Sequence, residues 1–229
     1  MDKRTWIIFG VAVVAILTGL VLYSKQGSVD VSGVDHTKPI ISAEEVKQAG
    51  SGLPDTIYGT KTAKATVIEY ADYSCPGCQA LTEKFQAVLP EYKDKITFVY
   101  REFPITQIHP NSRLASTYAL AAGMQGKYWA MHDILFKNRE SWWQVSMTER
   151  ERVFDNYAKQ AGINVEKLKT DMQKPEIAQK INFDQAIAKQ NGVTGTPTVF
   201  INGKVFNTNR LETTEQVKAA FDDAIKEKK

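Results

Sequence analysis

The chain has 229 residues, 43% hydrophobic and 24% charged, the balance of a folded globular protein, which excludes disorder over most of its length. Its 29 basic and 26 acidic residues leave a net charge of +3 with no dense Lys/Arg cluster, too little to meet the several phosphates that a nucleic-acid binder neutralises. Its 2 cysteines exclude a disulfide scaffold, a four-thiolate zinc site and a four-thiolate iron–sulfur cluster.

Trp6–Tyr23 runs without a charge between Lys3-Arg4 and Lys25. Extended to Thr5 and Ser24 it is long enough for a helix to cross about 30 Å of hydrocarbon, with Trp6 and Tyr23 where aromatic rings prefer the interface. A cleaved signal peptide would need small residues after the apolar run, and here stand Leu22, Tyr23, Ser24 and Lys25. Residues 1–24 are therefore expected to form a cytoplasmic stub and an uncleaved, single-pass anchor in the cell membrane. The basic N-terminal flank keeps that end inside, so everything after Ser24 faces outward, out of the cytoplasm. Residues 25–63, rich in Gly, Ser, Asp and Lys with breakers at Pro39 and Pro54, read as a linker. Within it, Ser42 and Glu45 have capping-box spacing and predict a short helix through Gln48.

Thr66–Ala71 is a short β-branched and aromatic run, hence a strand; Gln79–Leu89 is an amphipathic helix stopped at Pro90; Ile96–Phe103 is a second strand. This β-α-β unit implies parallel strands with a right-handed crossover. From Pro110 to Asn191 the pattern is helical. One helix carries Leu114 and Tyr118, another Trp129 and Leu135. A third opens on a Thr148–Glu151 capping box and ends at Gly162, a short one spans Val165–Met172, and the last runs from Pro175 to Gly192. Thr198–Ile201 and Lys204–Phe206 flank Asn202-Gly203, a two-residue hairpin signal, and Thr213 with Gln216 caps a final helix. The fold class is α/β: β-α-β, a helical insertion, then β-β-α.

Cys75-Pro76-Gly77-Cys78 lies between the first strand and the first long helix. The i, i+3 spacing brings both sulfurs to one side of the first turn, within bridging distance. Pro76 suits the first helical position, and Cys75 as cap residue faces unpaired amides and the positive end of the helix dipole, which favour its thiolate. Cys78, deeper in the turn, is the expected resolving thiol. A permanent disulfide here would close too short a loop to stabilise much. His36, His109 and His132 are not at zinc spacing, so neither metal nor cofactor is expected. Glu69, in the middle of an apolar strand, reads as a buried acid with a raised pKa able to take the proton of Cys78; the alternative is a strand edge where it meets water. Pro197, in Gly195-Thr196-Pro197-Thr198, is either an ordinary strand-entry residue or the second residue of a cis peptide bond.

The runs VIEYADYSCPGC, HPNSRLASTYALAAGMQGKYWAMHDILF and VTGTPTVFINGK together resemble the DsbA-type thiol-disulfide oxidoreductases of the thioredoxin superfamily, in particular their membrane-anchored bacterial branch. The resemblance extends from about Ile57 to the C-terminus. It implies a thioredoxin fold over residues 64–108 and 193–229, interrupted by a helical domain over 109–192. It also implies Cys75 as nucleophile, Cys78 as its partner, a buried acid at Glu69, and a cis Pro197 beside the sulfurs. Pro76, Gly77, Thr196 and Pro197 would then border the substrate. Gly77 departs from the pattern of strongly oxidising members, which commonly carry histidine there, so a milder oxidant is expected.

The expected activity is the introduction of disulfides into unfolded exported proteins with free thiols, with reoxidation by a membrane partner that the resemblance makes quinone-linked. The alternatives are a reductase or isomerase in the same compartment, and a copper or zinc carrier using two thiolates. His109 is expected to start a helix and His132 to pack or face water. Trp142 and Trp143 are expected in the core, and the scattered Met124, Met131, Met147 and Met172 argue against a copper-binding cluster.

Overall fold

The computed structural model describes residues 3–26 and 29–227. It contains two compact units, Met1–Asp30 and Val31–Lys229. The first holds helix α1 (Lys3–Gln26). Among the described residues no helix is long and apolar enough to cross a membrane. The span expected over Trp6–Tyr23 includes Ile7, Ile8 and residues 19–23, which lie outside the described side chains.

The second unit is built on a five-stranded mixed sheet in the order β1-β3-β2-β4-β5, from β1 (Ile57–Gly59), β2 (Ala65–Ala71), β3 (Ile96–Glu102), β4 (Thr198–Ile201) and β5 (Lys204–Phe206). Only β2 and β3 pair in parallel, joined by helix α3 (Pro76–Tyr92). Between β3 and β4 the chain inserts α4 (Ser112–Gly123), α5 (Tyr128–Lys137), the single turn α6 (Arg139–Trp142), α7 (Arg150–Gln160), α8 (Val165–Met172) and α9 (Pro175–Gln190). It closes with α10 (Thr214–Glu227). This is the α/β fold with a helical insertion that the sequence predicts. The Asn202-Gly203 hairpin forms with both residues at positive φ, 49° and 80°, as its two-residue turn requires.

Side chains alternate across the sheet. Val67, Ala71, Phe98, Val199 and Ile201 join the core beneath α3 and α10, where Phe85 lies edge-on to Phe98 at 5.2 Å and stacks on Phe221 at 5.8 Å. The opposite face carries Tyr70, Arg101 and Phe200, and here the structure corrects the sequence reading. The segment expected as a linker to residue 63 belongs to the folded unit from Val31 onward. His36 lies against Phe200 at 5.4 Å, Arg101 donates to the carbonyls of His36 and Lys38, and Val31 and Ile40 are buried. The physical cause is a buried group of four charges. Asp55 takes Arg101 at 2.9 Å and Lys180 at 2.5 Å, and Lys180 also reaches Asp184 at 2.6 Å. The linker reading also left out β1, which pairs antiparallel with β3, while the Ser42–Glu45 capping box and its helix α2 (Ala43–Ala49) form as expected.

Two helix ends differ from the sequence reading. The first long helix starts at Pro76 and runs through Pro90 to Tyr92, since a proline in the last turn forfeits only a terminal bond. Helix α7 starts at Arg150 rather than on the Thr148 cap that the sequence predicts, and the Thr148 hydroxyl pairs instead with that of Ser146 at 3.0 Å.

Candidate active site

Strand β2 ends on a three-residue approach, Asp72-Tyr73-Ser74, which delivers Cys75 to the N-terminus of α3. Cys75 is the cap residue, in extended conformation (φ −77°, ψ 125°), with Pro76 as the first helical residue, the arrangement the spacing predicts. Both cysteines are free thiols. Cys75 retains 8% of its surface, whereas Cys78, one turn in, is fully enclosed, with Pro76 and Gly77 exposed beside them.

This placement sets the two sulfurs far apart in acidity. The Cys75 thiol is pulled down to about 5, first by a hydrogen bond from Cys78 and then by Thr196 and the amides of Cys78 and Gly77, against burial. Cys78 is pushed well up by burial, by its bond to Cys75, and by the charges of Cys75 and Glu69. Cys75 is therefore a thiolate at neutral pH while Cys78 keeps its proton.

Glu69 occupies the central strand, opposite Tyr100 on β3 and Val199 on β4, on the face beneath α3. It is fully buried and neither carboxyl oxygen has a hydrogen-bond partner. Burial, with the nearby charge of Cys75, pushes it up to about 8, so it is a neutral acid at pH 7 and not a solvated edge residue. A cavity of about 130 Å³ beside it is lined by Thr82, Gln86, Trp129, His132 and Asp133 and reaches the exposed Asp133.

Thr196–Pro197 is a cis peptide bond. The Thr196 carbonyl oxygen stands 3.5 Å from the Cys75 sulfur, within hydrogen-bond reach of the thiol when it is protonated. The sequence-predicted residues Glu69, Cys75, Pro76, Gly77, Cys78, Thr196 and Pro197 thus border one site. Sequence reasoning missed three others. The Asp72 carboxylate accepts from the amides of Ser74 and Ile105, each at 2.7 Å. His109 pairs with the same carboxylate at 2.8 Å, and Arg139 donates to the Ser74 carbonyl at 2.6 Å. Only Asp72 left a signal, being an aspartate at a turn two residues before the amide it holds. Trp142 is fully buried, as expected, and Trp143 lies partly exposed against Arg139.

Residues 52–223 match the family model described as Thioredoxin. A thioredoxin-like oxidoreductase from Silicibacter pomeroyi superposes with a TM-score of 0.61 at 30% identity, over 75% of this chain and 92% of that one. The thiol-disulfide exchange protein alpha-DsbA2 from Wolbachia pipientis superposes with a TM-score of 0.64 at 20% identity, over 78% of this chain and 92% of that one. Among curated proteins, a Na(+)/H(+) antiporter, NhaA 3 of Salinispora tropica, is 30% identical over 150 residues, 66% of this chain, and the chain spans only 22% of that protein's length.

Proposed function

The chain belongs to the thioredoxin family, and from that premise we propose that this oxidoreductase is an oxidase of protein thiols, tethered to the membrane with its redox domain outside the cytoplasm. The observation that carries the reading is the split between the two sulfurs, with Cys75 at about 5 and Cys78 pushed well up. In the oxidised state a substrate thiolate attacks Cys75, forming a substrate–Cys75 disulfide and releasing Cys78, which takes a proton from Glu69. A second substrate thiolate then attacks the substrate's sulfur and expels Cys75 as a thiolate. Two electrons have passed from the substrate dithiol to the enzyme pair. The low pKa of Cys75 favours that final departure and stabilises the reduced enzyme. Reoxidation runs the proton back from Cys78 to Glu69 and needs an electron acceptor; by resemblance this is a quinone-linked membrane partner.

The substrate segment lies extended along Thr196 and Pro197, with Pro76 and Gly77 at the mouth, pairing its backbone as an added strand. The tether rests on α1, where Trp6, Phe9, Val11, Val14, Ile16 and Leu17 are exposed, a run that water would not favour. No antiport is proposed for this chain, which spans only 22% of the antiporter it matches. Mixing the oxidised protein with a reduced, unfolded two-thiol substrate should give substrate disulfide, and Cys78→Ser should accumulate a mixed disulfide at Cys75. No transfer, or a trapped adduct at Cys78, would reject the reading. Membrane fractionation and protease accessibility in intact cells test the tether and its orientation.

A further inference from the structure

The three residues that lead into Cys75 are gripped from the helical insertion. Asp72 closes the turn itself, its carboxylate taking the Ser74 amide at 2.7 Å and its carbonyl the Cys75 amide at 3.0 Å. From the insertion side, His109, just before α4, pairs with the Asp72 carboxylate at 2.8 Å. Arg139, on α6, donates from Nε to the Ser74 carbonyl at 2.6 Å. Both are enclosed, Arg139 at 4% and His109 at 8% exposure, and Asp72 and Ser74 are more so. Arg139 is held in turn by Glu140 and by the Trp143 ring at 4.9 Å. The two grips also form one piece. Asn111, beside His109, donates to the carbonyls of Trp142, Trp143 and Val145, tying the start of α4 to the end of α6.

We propose that Arg139 and His109 are positioning residues, through which the helical insertion sets the direction of the Cys75 sulfur at the N-terminus of α3. The inference rests on the reading of Cys75 as the nucleophile. The amides of Gly77 and Cys78 help hold the Cys75 thiol down, and how well they face the sulfur depends on the orientation of the cap residue, because such interactions weaken steeply with angle. The backbone just before the cap fixes that orientation. Without Arg139 the buried Ser74 carbonyl has lost its donor and turns toward water, taking the peptide of Cys75 with it. Without His109 the Asp72 carboxylate loses one of the two ties that hold its turn against the insertion.

The test is the acid midpoint of Cys75 in the reduced, full-length protein in detergent micelles, read by ultraviolet thiolate absorbance and by alkylation rate against pH. Arg139→Met and His109→Ala should each raise the midpoint by about one unit, an alkylation rate about tenfold lower on the acid side. His109→Asn, whose amide nitrogen can stand in for Nδ1, should restore most of it. A merely structural role would lower thermal stability and leave the midpoint where it was, and that result in folded variants overturns the proposal. Should Arg139→Met not fold, the Ala and Asn variants at His109 decide alone. A wild-type protein with no low midpoint at Cys75 would instead remove the nucleophile reading, and this inference with it.

Discussion

The sulfur of Cys75 and the carbonyl oxygen of Thr196, 121 residues apart in the chain, stand 3.5 Å from each other. The β2–β4 ladder ends at the pair Tyr70–Thr198, so the Thr196 backbone lies just beyond it, beside the reactive sulfur. In the proposed reaction an incoming extended segment would run along that backbone with its thiolate on Cys75. The same geometry makes the two cysteines unequal. Alkylating the reduced protein near neutral pH should label Cys75 first, because only its thiol lies at about 5. Peptide mapping that finds Cys78 labelled first would reverse the assignment. Cys75→Ser should abolish substrate oxidation.

Glu69 couples the site to pH through stability. Its folded value of about 8 lies above its ordinary value of 4.5, so between these limits the folded protein holds a proton that the unfolded chain has released. Stability of the reduced form therefore falls as pH rises through that window, by up to about 1.4 kcal/mol per pH unit for this group. Glu69→Gln should flatten the fall and stabilise the protein at the alkaline end. Glu102, also raised to about 8 by burial, should keep part of the slope. Denaturant melts of wild type and variant across this window measure it, and identical slopes would place Glu69 in a wetter setting.

Gly77 is the glycine at which a side chain would stand closest to both the Cys75 sulfur and Pro197. A Cβ there would lie 3.3 Å from Cδ of Pro197 and 3.8 Å from the Cys75 sulfur, so the Pro197 ring has to give by a few tenths of an ångström. Gly77→His should bring an imidazole to the thiolate and make the pair more oxidising, by about 30 mV for every ~1.4 kcal/mol gained. Equilibration of both proteins with glutathione reads the difference, and an unchanged or lower potential would show that the imidazole does not reach the sulfur.

The buried charges under the sheet predict where the domain begins. Burial opposes a charge on Asp55, but Arg101 and Lys180 outweigh it and hold the carboxyl well below its usual range, so the stability it supplies is lost as pH falls through and below that range. Asp55→Asn should cost about 3–5 kcal/mol by denaturant titration, since it leaves the buried Arg101 without its carboxylate and Lys180 with Asp184 alone. A fragment starting at Val31 should fold and keep its redox activity, and one starting at residue 64 should not. Equal stability of the two fragments would return residues 31–63 to the role of a tether.

Most of the fold was legible because its signals are local. β2, β3 and the final hairpin announce themselves by β-branched runs and Asn202-Gly203, and Cys75-Pro76-Gly77-Cys78 marks the strand-to-helix junction by spacing alone. Glu69 was legible as a carboxylate in an apolar strand. The residues that sequence reading missed act across distance. Asp55 looks like any loop aspartate until Arg101 and Lys180 meet it, 46 and 125 residues on. Arg139 looks like a surface arginine until its guanidinium reaches Ser74, 65 residues back. Neither has a periodicity or a motif, and both depend on which face of the sheet or insertion the chain covers.

The direction of electron flow is the centre of the account, and the reduction potential of the Cys75–Cys78 pair tests it most directly. Equilibrating the protein with reduced and oxidised glutathione and counting the Cys75 and Cys78 thiols by mass should give a disulfide clearly more oxidising than about −270 mV, the thioredoxin value. A potential at or below about −270 mV would contradict an oxidase and make the protein a reductase.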